Sequence, residues 1–553
     1  MLLSVFSSFY IFSDAENLNT KIHESRDYLD ISTRYSRVFS TIGAIIVEYK
    51  FAEVLAHYHN TSNAKFSLDQ EYWSLPSIHH RSAMRLLELC QKNGGVFIKL
   101  GQHISTLDYL VPSEYCQVLK CLQSRAFQTP IDQVHRVICQ ALNISSIDAV
   151  FSSFDEIPVG VASLAQVHRA VLKDSSQVVA VKVQHPLVEK FAPLDIQAVG
   201  MFARVLKNLF PSFTLQWLAE EISENLPKEI DFLHEATNAL RTREIVDELN
   251  LEEQSSLYNF LFGSSNQITL CVPKPLLEFC SKKLLVMEFV DDFGCSIEDS
   301  SIRTQVMDAI NRCFTNLIFR YGWVHCDPHL GNFKLVRPAS CGEKYQLAIL
   351  DHGLYKELSD DIRKSYAKLW LSLIEGDEQG LIESLHTLCP ARSSTSRYSE
   401  QLEPLTRDGQ KAHRLLSSVL SRRSWKALEF GFNVSSSPSS CVKNISITPL
   451  ITPERLGLIT FIFESIQRDL LLVLKTNDLL VSLNFTLSDP EKHDPLMRYI
   501  AAVGLACAHA LKPNFDDLKT SFTPIFFFSY VQRNLFYYFR LLKYHVVKYI
   551  FRL

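Results

Sequence analysis

The first part of the chain carries the hydrophobic pattern of helices. Between residues 77 and 110 apolar positions recur at intervals of three and four, which predicts a buried helical face, and Gly94-Gly95 interrupts the pattern. Pro112, followed by Ser113 and Glu114, predicts the start of another helix. Helices are therefore expected to precede the first strand.

At Phe151 the pattern changes to short apolar runs rich in β-branched residues. Residues 157–172 predict a strand, a turn of small residues and a second strand, and residues 178–183 predict a strand that contains Lys182. Apolar runs at 284–290 and 346–350 predict two further strands.

Helical spacing returns between and after these strands. We expect helices over residues 193–209, 215–249 and 302–321, and mostly helix beyond Leu358. Strands in the middle and helices on either side predict an α+β fold with two lobes and added N-terminal and C-terminal helices.

Composition narrows the class of protein. A chain of 553 residues is too long for one compact core, and 47% hydrophobic with 21% charged residues is typical of a folded protein. The net charge of −4 gives no indication of a nucleic-acid partner. The 13 cysteines include no Cys-x-x-Cys pair, so neither a disulfide framework nor a zinc ribbon is expected.

The N-terminal region carries only weak targeting signals. Residues 1–12 are apolar but lack a basic flank, and the basic residues that follow are mixed with acids, unlike a mitochondrial transit peptide. Residues 41–47 are apolar but far shorter than the roughly 20 residues of a membrane span. A buried or interfacial helix is expected there.

The candidate chemistry lies in residues 325–332, His-Cys-Asp-Pro-His-Leu-Gly-Asn, and in the Asp-His-Gly that begins at Asp351. Phosphoryl transfer from ATP uses one carboxylate to position the attacking hydroxyl, and an amide and a second carboxylate to hold metal ions. Asp327 and Asn332 have the spacing of a protein-kinase catalytic loop, and Asp351 follows at the end of a predicted strand. The set predicts nucleotide and metal chemistry.

Two further residues extend this set. Lys182 in Val-Ala-Val-Lys matches the kinase lysine that binds the α- and β-phosphates, although a lysine in a strand is usually only solvated. Glu235 on the helix that follows is its candidate partner. Glu229 and Asp231 lie nearer the start of the same predicted helix, where a charged surface is the alternative interpretation. The kinase-like order of all these elements favours the functional interpretation.

With these motifs the sequence resembles the UbiB/aarF-domain family of atypical kinases, and most of all its aarF-domain-containing kinase one branch. The resemblance covers roughly residues 75–480. Its motifs are Lys-x-Gly-Gln at 99–102, the alanine-rich loop at 161–168, Val-Ala-Val-Lys at 179–182, Glu-x-Asp at 229–231, the catalytic loop at 325–332 and Asp-His-Gly at 351–353, with the branch indicated by 350–355 and 474–480.

The resemblance implies an atypical protein-kinase-like two-lobed fold. Its expected divisions are an N-terminal extension with a candidate targeting segment at 1–65, a helical Lys-x-Gly-Gln extension at 66–150, an N-lobe at 151–290, a C-lobe at 291–510 and an aromatic basic tail at 511–553.

The resemblance also implies a role for each matching residue. The nucleotide-binding set would be Gly160, Val161, Ala162, Ser163, Lys182 and Glu235. Asp327 would be the catalytic aspartate, and Asn332 and Asp351 would hold Mg²⁺. The regulatory set would be Lys99, Gln102, Glu229 and Asp231, with the first two on an added helix that covers the site near the last two. Because the family's insertion occludes the place where a peptide would dock, it implies a small-molecule or lipid-linked activity, or ATPase action, rather than protein phosphorylation.

Three positions depart from the family pattern. Gly160 and Val161 replace the first two alanines of the phosphate loop, where glycine permits positive φ and valine stiffens the turn. Leu330 replaces the second proline of the catalytic loop, which should loosen it. The departures leave every proposed ligand in place. A zinc site at His325 and His329 is the disfavoured alternative, since both residues are already explained by the catalytic loop.

The last residues, 522–553, combine many aromatic residues with Arg and Lys and contain no acid, which suits a helix at a membrane interface. Docking onto the core is the alternative, and nucleic-acid binding has little support.

From all this the sequence predicts an ATP- and Mg²⁺-binding atypical kinase or ATPase in mitochondrial lipid or coenzyme Q homeostasis. Its expected partners are nucleotide and a lipid or membrane surface, without nucleic acid, and its expected location is the mitochondrion in association with a membrane. The alternative is a nucleotide-binding pseudokinase scaffold with negligible turnover.

Overall fold

A computed structural model describes residues 18–61, 72–105, 111–123, 128–209, 216–255, 268–291, 300–336, 345–388, 468–488 and 495–512. The chain divides into two compact units. The first contains residues 1–231 with 281–284, and the second contains residues 232–280 with 285–553. The predictions for residues 1–12 and 522–553 lie outside the described residues.

The first unit contains seven described helices. They are α1 (Leu18–Thr61), α2 (Leu75–Asn93), α3 (Gly95–Ser105), α4 (Ser113–Leu119), α5 (Ile131–Leu142), α6 (Pro186–Leu209) and α7 (Gln216–Glu229). Gly94, at φ +68°, ends α2, and Gly95, at φ +47°, begins α3. These left-handed conformations favour glycine, so the predicted interruption has a backbone cause.

The core of the first unit forms where apolar faces of these helices meet. Leu89 of α2, Phe97 of α3 and Val188 of α6 are all 3% exposed or less and belong to one buried cluster. The Gly101 position of α3 is packed tightly, because a Cβ there would collide with Leu122 and lie 3.2 Å from Cys90 Sγ. The glycine of Lys-x-Gly-Gln is therefore a packing requirement.

The sheet of the first unit is antiparallel. Its strands are β1 (Phe151–Phe154), β2 (Gly160–Val161), β3 (Ala165–Leu172) and β4 (Val178–Gln184). Both β1 and β2 pair with β3, and β3 pairs with β4 so that Val167 lies opposite Lys182. Val181 and Val183 are buried while Lys182 between them is half-buried, as the period of two in a strand requires.

The second unit is mainly helical. Its helices are α8 (Phe232–Ser255), α9 (Ser300–Asn316), which continues as a π-helix at Leu317–Tyr321, α10 (Asp360–Glu375), α11 (Glu378–Leu388), α12 (Arg468–Leu487) and α13 (Pro495–Ala510). Its strands are β5 (Ile268–Cys271), β6 (Leu284–Glu288, whose first residue belongs to the first unit), β7 (Trp323–His325), β8 (Phe333–Val336), β9 (Tyr345–Ile349) and β10 (Tyr355–Glu357). The presence of both helices and small sheets confirms the predicted α+β class.

Two small sheets hold the catalytic-loop sequence. Strand β9 pairs in parallel with β5 and antiparallel with β8, which places Phe333 opposite Ile349. Strand β7 pairs antiparallel with β10, which places His325 opposite Tyr355. Residues 325–332 therefore leave one sheet and enter another, with both ends fixed.

Two predicted helix boundaries are wrong. The single helix expected over 215–249 is two helices, because α7 ends at Glu229 and α8 begins at Phe232. Pro227 lies in the last turn of α7 and lacks an N–H donor, which favours a helix end there. Helix α6 begins at Pro186 rather than near Pro193, since proline fits the first position of a helix.

Candidate active site

The predicted phosphate loop, residues 160–163, begins in β2 of the first unit. Gly160 and Val161 form β2, both are exposed, and the amide of Ala162 donates to the carbonyl oxygen of Ala165 at 2.8 Å. Gly160 does not have a positive φ, and a Cβ there would meet no atom within 4 Å. This structure therefore makes no use of glycine's conformational freedom at Gly160.

The loop is also held by a histidine at the end of β4. His185 Nε2 donates to the Ala162 carbonyl at 3.0 Å, and its Nδ1 lies 2.6 Å from Thr129 Oγ1. With Nε2 as a donor, the neutral ring accepts from the threonine hydroxyl. Burial lowers the pKa of His185, which favours this neutral state.

Lys99 and Glu229 form an ion pair within the first unit. Lys99 Nζ lies 2.9 Å from Glu229 Oε2, and the side chains are 20% and 7% exposed. Gln102 Nε2 donates instead to the Leu122 carbonyl at 3.0 Å. The amide of Asp231 donates to the Lys228 carbonyl in the segment after α7. Of the predicted regulatory set, the contacts therefore join the Lys-x-Gly-Gln lysine to the Glu-x-Asp glutamate.

Glu235 lies in the second unit, in the first turn of α8, and is 1% exposed. It is on a different helix from Glu229, because the chain breaks between α7 and α8. Asn238, one turn further along α8, donates from Nδ2 to the carbonyl of His352 at 3.0 Å. Helix α8 is thus fixed to the segment that follows Asp351.

The catalytic-loop residues are joined to one another by hydrogen bonds. The amide of Asp327 donates to His325 Nδ1 at 3.2 Å, and Asn332 Nδ2 donates to the Asp327 carbonyl at 3.0 Å. The Asp327 side chain remains 36% exposed, with His329 Nε2 3.9 Å from Oδ2. The side-chain nitrogen of Asn332 therefore helps to close the loop, and its side-chain oxygen takes no part in that hydrogen bond.

Asp351 joins the same network from the end of β9. His325 Nε2 donates to the Asp351 carbonyl at 2.8 Å, and the amide of Leu350 donates to the Asn332 carbonyl at 2.9 Å. The Asp351 Oδ1 atom accepts from the amide of Gly353 at 2.9 Å. The structure thus brings Asp327, Asn332 and Asp351 together in one hydrogen-bonded frame.

His325 is the centre of this frame and was not predicted as such. It is 2% exposed, and burial lowers its pKa, so the ring is held neutral with its proton on Nε2. The hydroxyl oxygen of Thr476 in α12 lies 3.4 Å from the carbonyl oxygen of His325. In the sequence, Thr476 is indicated only by the 474–480 segment of the family resemblance.

His352 occupies the position after the metal-binding aspartate of the kinase pattern. Its Nε2 donates to the Ile349 carbonyl at 3.0 Å, and the Tyr355 hydroxyl lies 2.9 Å from Nδ1. The two rings stack with an interplanar angle of 7°. A polar ring is tolerated in this buried place because both of its nitrogens are hydrogen-bonded.

The donor set of this loop suits a hard cation. An amide oxygen from Asn332 and a carboxylate from Asp351 are the ligand types that Mg²⁺ prefers, completed by water and phosphate oxygens. Across the described ranges, no group of three or more His, Cys, Asp and Glu could hold a metal ion. Both nitrogens of His325 are engaged by main-chain groups, which argues against the zinc alternative.

Comparison with known proteins accounts for this arrangement. Residues 121–385 match the family model described as the ABC1 atypical kinase-like domain. AarF domain-containing protein kinase 1 of Mus musculus is 38% identical over 74% of this chain and 71% of its own length, and that of Gallus gallus is 36% identical over 74% and 72%. The chain belongs to the ABC1/AarF family of atypical kinases. The family predicted from the motifs is therefore confirmed.

The family also includes more distant relatives of this chain. The ABC1 family protein MCP2 of Saccharomyces cerevisiae is 29% identical over 86% of this chain and 78% of its own length. A solved chain, described as the complex structure of Rv3197 and erythromycin from Mycobacterium tuberculosis, covers 75% of this chain at 20% identity with a TM-score of 0.36. Likeness at that level carries no argument about this site.

Proposed function

We propose that this ABC1/AarF family member binds ATP with Mg²⁺ and acts as an atypical kinase or ATPase. The observation that carries the proposal is the frame around His325, which fixes the main chains of Asp327 and Asp351 through one neutral imidazole. Fixed carboxylates are what phosphoryl transfer requires, since its catalysis is mostly positioning and electrostatic stabilisation.

Each residue has a proposed part in this activity. Asn332 and Asp351 would hold Mg²⁺, which when bound neutralises phosphate charge. Asp327 keeps a partly exposed carboxylate that can accept the proton of an attacking hydroxyl. The family resemblance implies that Lys182 would bind phosphate oxygens and that Glu235 would belong to the same nucleotide-binding set. The residues 160–163 would cover the phosphates.

The test is Mg²⁺-dependent binding of ATP, measured by calorimetry on the wild type and on Asp351→Asn. The variant keeps the shape of the side chain and removes its charge, so it is expected to lose most of the Mg²⁺ dependence. Asp361→Asn, an exposed change in the first turn of α10, is the matched control. Unchanged Mg²⁺ dependence in Asp351→Asn would refute the metal assignment.

The proposed substrate is a small molecule or lipid in a mitochondrial pathway such as coenzyme Q homeostasis. This part rests on the family resemblance, in which the Lys-x-Gly-Gln insertion occludes a peptide site. No helix of the described residues is both long and apolar enough to cross a membrane. Membrane association is proposed through residues 522–553, which lie outside the described part, because they combine aromatic with basic residues and contain no acid. Unchanged liposome sedimentation after their deletion would exclude this.

A nucleotide-binding scaffold with negligible turnover is the second candidate. The Lys99–Glu229 ion pair, with its buried glutamate, favours it because the pair ties the insertion to α7. ATP hydrolysis by the purified protein with anionic liposomes separates the two candidates. Turnover that disappears in Asp327→Asn would exclude the scaffold.

A further inference from the structure

Two histidines of the first unit hold the main chain on either side of β2, where the phosphate loop begins. His168 Nδ1 lies 2.7 Å from the carbonyl oxygen of Asp155, which precedes β2. His185 Nε2 lies 3.0 Å from the carbonyl oxygen of Ala162, which directly follows β2. A carbonyl oxygen can only accept, so both rings donate to the loop.

Gln166 and Thr129 connect the two histidines. Gln166 is 1% exposed, and its Nε2 donates to His168 Nε2 at 2.8 Å and to the Thr129 carbonyl at 3.2 Å. Its Oε1 accepts from the amide of Thr129 at 2.7 Å. Thr129 Oγ1 in turn lies 2.6 Å from His185 Nδ1. Both hydrogens and the oxygen of the buried amide are therefore engaged, and the hydrogen-bond network is continuous from one histidine to the other.

The hydroxyl of Thr129 determines which nitrogen of His185 carries the hydrogen. A hydroxyl that donates to Nδ1 requires the tautomer with its hydrogen on Nε2, and only that neutral tautomer can donate to the Ala162 carbonyl. Burial lowers the pKa of His185, which favours the neutral ring in which this choice exists. Without the hydroxyl, the ring can place its hydrogen on Nδ1 and lose the bond to Ala162.

Thr129 lies outside the sheet that carries the phosphate loop. It precedes Pro130, the N-cap of α5, and so falls within the predicted helical extension, residues 66–150. Helix α5 also contacts the strand that leads toward the loop, because the rings of His135 and Phe154 meet edge to face with centroids 5.5 Å apart. All of these residues belong to the first unit. The extension therefore contacts the phosphate-loop region through a specific hydrogen bond as well as through packing.

We propose that Thr129 is a positioning residue for nucleotide binding, which acts through His185 to fix the phosphate loop at Ala162 in the conformation that receives phosphate. This role rests on the proposed function, in which residues 160–163 cover the phosphates. Gln166 and His168 support Thr129 and the chain before β2 in the same network. Two residues of the alanine-rich loop motif thereby gain a role that contact with nucleotide does not give them.

The test compares binding of ATP with Mg²⁺ and binding of adenosine to the full chain by calorimetry. Thr129→Val keeps the size of the side chain and the main-chain bonds to Gln166, and removes only the hydroxyl. Because adenosine has no phosphate, the variant is expected to weaken ATP binding roughly three- to tenfold and to leave adenosine binding unchanged. Thr129→Ser retains the hydroxyl and should bind ATP as the wild type does. Thr486→Val, an exposed change in α12, is the matched control.

Hydrogen exchange of residues 159–164 in the nucleotide-free protein measures the loop without relying on ATP. Exchange should be faster in Thr129→Val, roughly three- to tenfold, and unchanged in Thr129→Ser. A wild type that binds no ATP would reject the proposed function and this role with it. If the wild type binds ATP, the role of Thr129 alone is overturned when the Val variant binds ATP as tightly, when it loses adenosine binding to the same extent, when its loop exchange is unchanged, or when the Ser variant behaves like it.

Discussion

His325 donates from Nε2 to the main-chain carbonyl of Asp351, across 26 residues of sequence and at a distance of 2.8 Å. Its other nitrogen accepts from the amide of Asp327. A neutral ring with one donor and one acceptor suits this arrangement, and a protonated ring would lose the acceptor. The first residue of the His-Cys-Asp sequence is therefore a support for both aspartates.

Replacement of this imidazole should damage stability and binding together. His325→Phe removes both hydrogen bonds while filling the space, and each main-chain group left buried without a partner costs about 1–3 kcal/mol. His325→Gln retains a donor that can reach the Asp351 carbonyl and should lose less. Urea unfolding and Mg²⁺-dependent ATP binding measure the two effects; Mg²⁺-dependent ATP binding by the Phe variant at wild-type affinity would contradict the supporting role.

That Asp327, Asn332 and Asp351 lie close together could be predicted from the sequence, because their spacing encodes a local loop and a strand end. The residues that hold this set in place could not be predicted in the same way, because Thr476 contacts His325 from 151 residues away. The break between α7 and α8 was also missed, because hydrophobic period alone does not reveal a two-residue interruption. Its sequence signal was Pro227, whose effect depends on its position in the helix.

His352 and Tyr355 should depend on each other energetically. His352→Phe leaves the Ile349 carbonyl and the Tyr355 hydroxyl without this ring, and Tyr355→Phe leaves His352 Nδ1 without its partner. The double variant is expected to cost about 1 kcal/mol less than the sum of the two single variants. A double-mutant cycle of unfolding free energies measures this, and strict additivity would show that the pair is not coupled.

The Lys99–Glu229 pair should show the asymmetry of a buried ion pair. Lys99→Met leaves the buried Glu229 carboxylate without its ammonium partner and should cost roughly 3 kcal/mol. Lys99→Met with Glu229→Gln removes both charges and should recover much of that loss. Thermal and urea unfolding provide the comparison. A double variant no more stable than Lys99→Met would contradict this account.

Gly101 should resist even the smallest enlargement. Gly101→Ala places a Cβ against Leu122 and Cys90 in a buried helix contact, and such overpacking costs about 1–3 kcal/mol. Gly200→Ala in α6 is the matched control, because a Cβ there meets no atom within 4 Å and alanine favours the helix by up to about 1 kcal/mol. Urea unfolding should therefore move the two variants in opposite directions, and equal shifts would refute the packing argument.

His168 should make the first unit sensitive to acid. It is fully buried, its Nδ1 lies 2.7 Å from the Asp155 carbonyl, and its Nε2 lies 2.8 Å from Gln166 Nε2. Since the carbonyl can only accept, Nδ1 donates and Nε2 accepts, which is the neutral ring. Burial lowers the pKa of His168, so the folded state binds the proton more weakly than the unfolded chain does.

The sign of the pH effect follows from this difference. Stability contributed by neutral His168 is fully present above the unfolded pKa of about 6.5 and is lost below it, at up to about 1.4 kcal/mol per pH unit. His168→Asn keeps a donor near Nδ1 and does not titrate. The difference in unfolding free energy between wild type and variant should therefore shrink between about pH 7.5 and about pH 5.5. Other histidines contribute to both proteins and cancel in the difference, so a constant difference across this range would show that His168 is not held neutral.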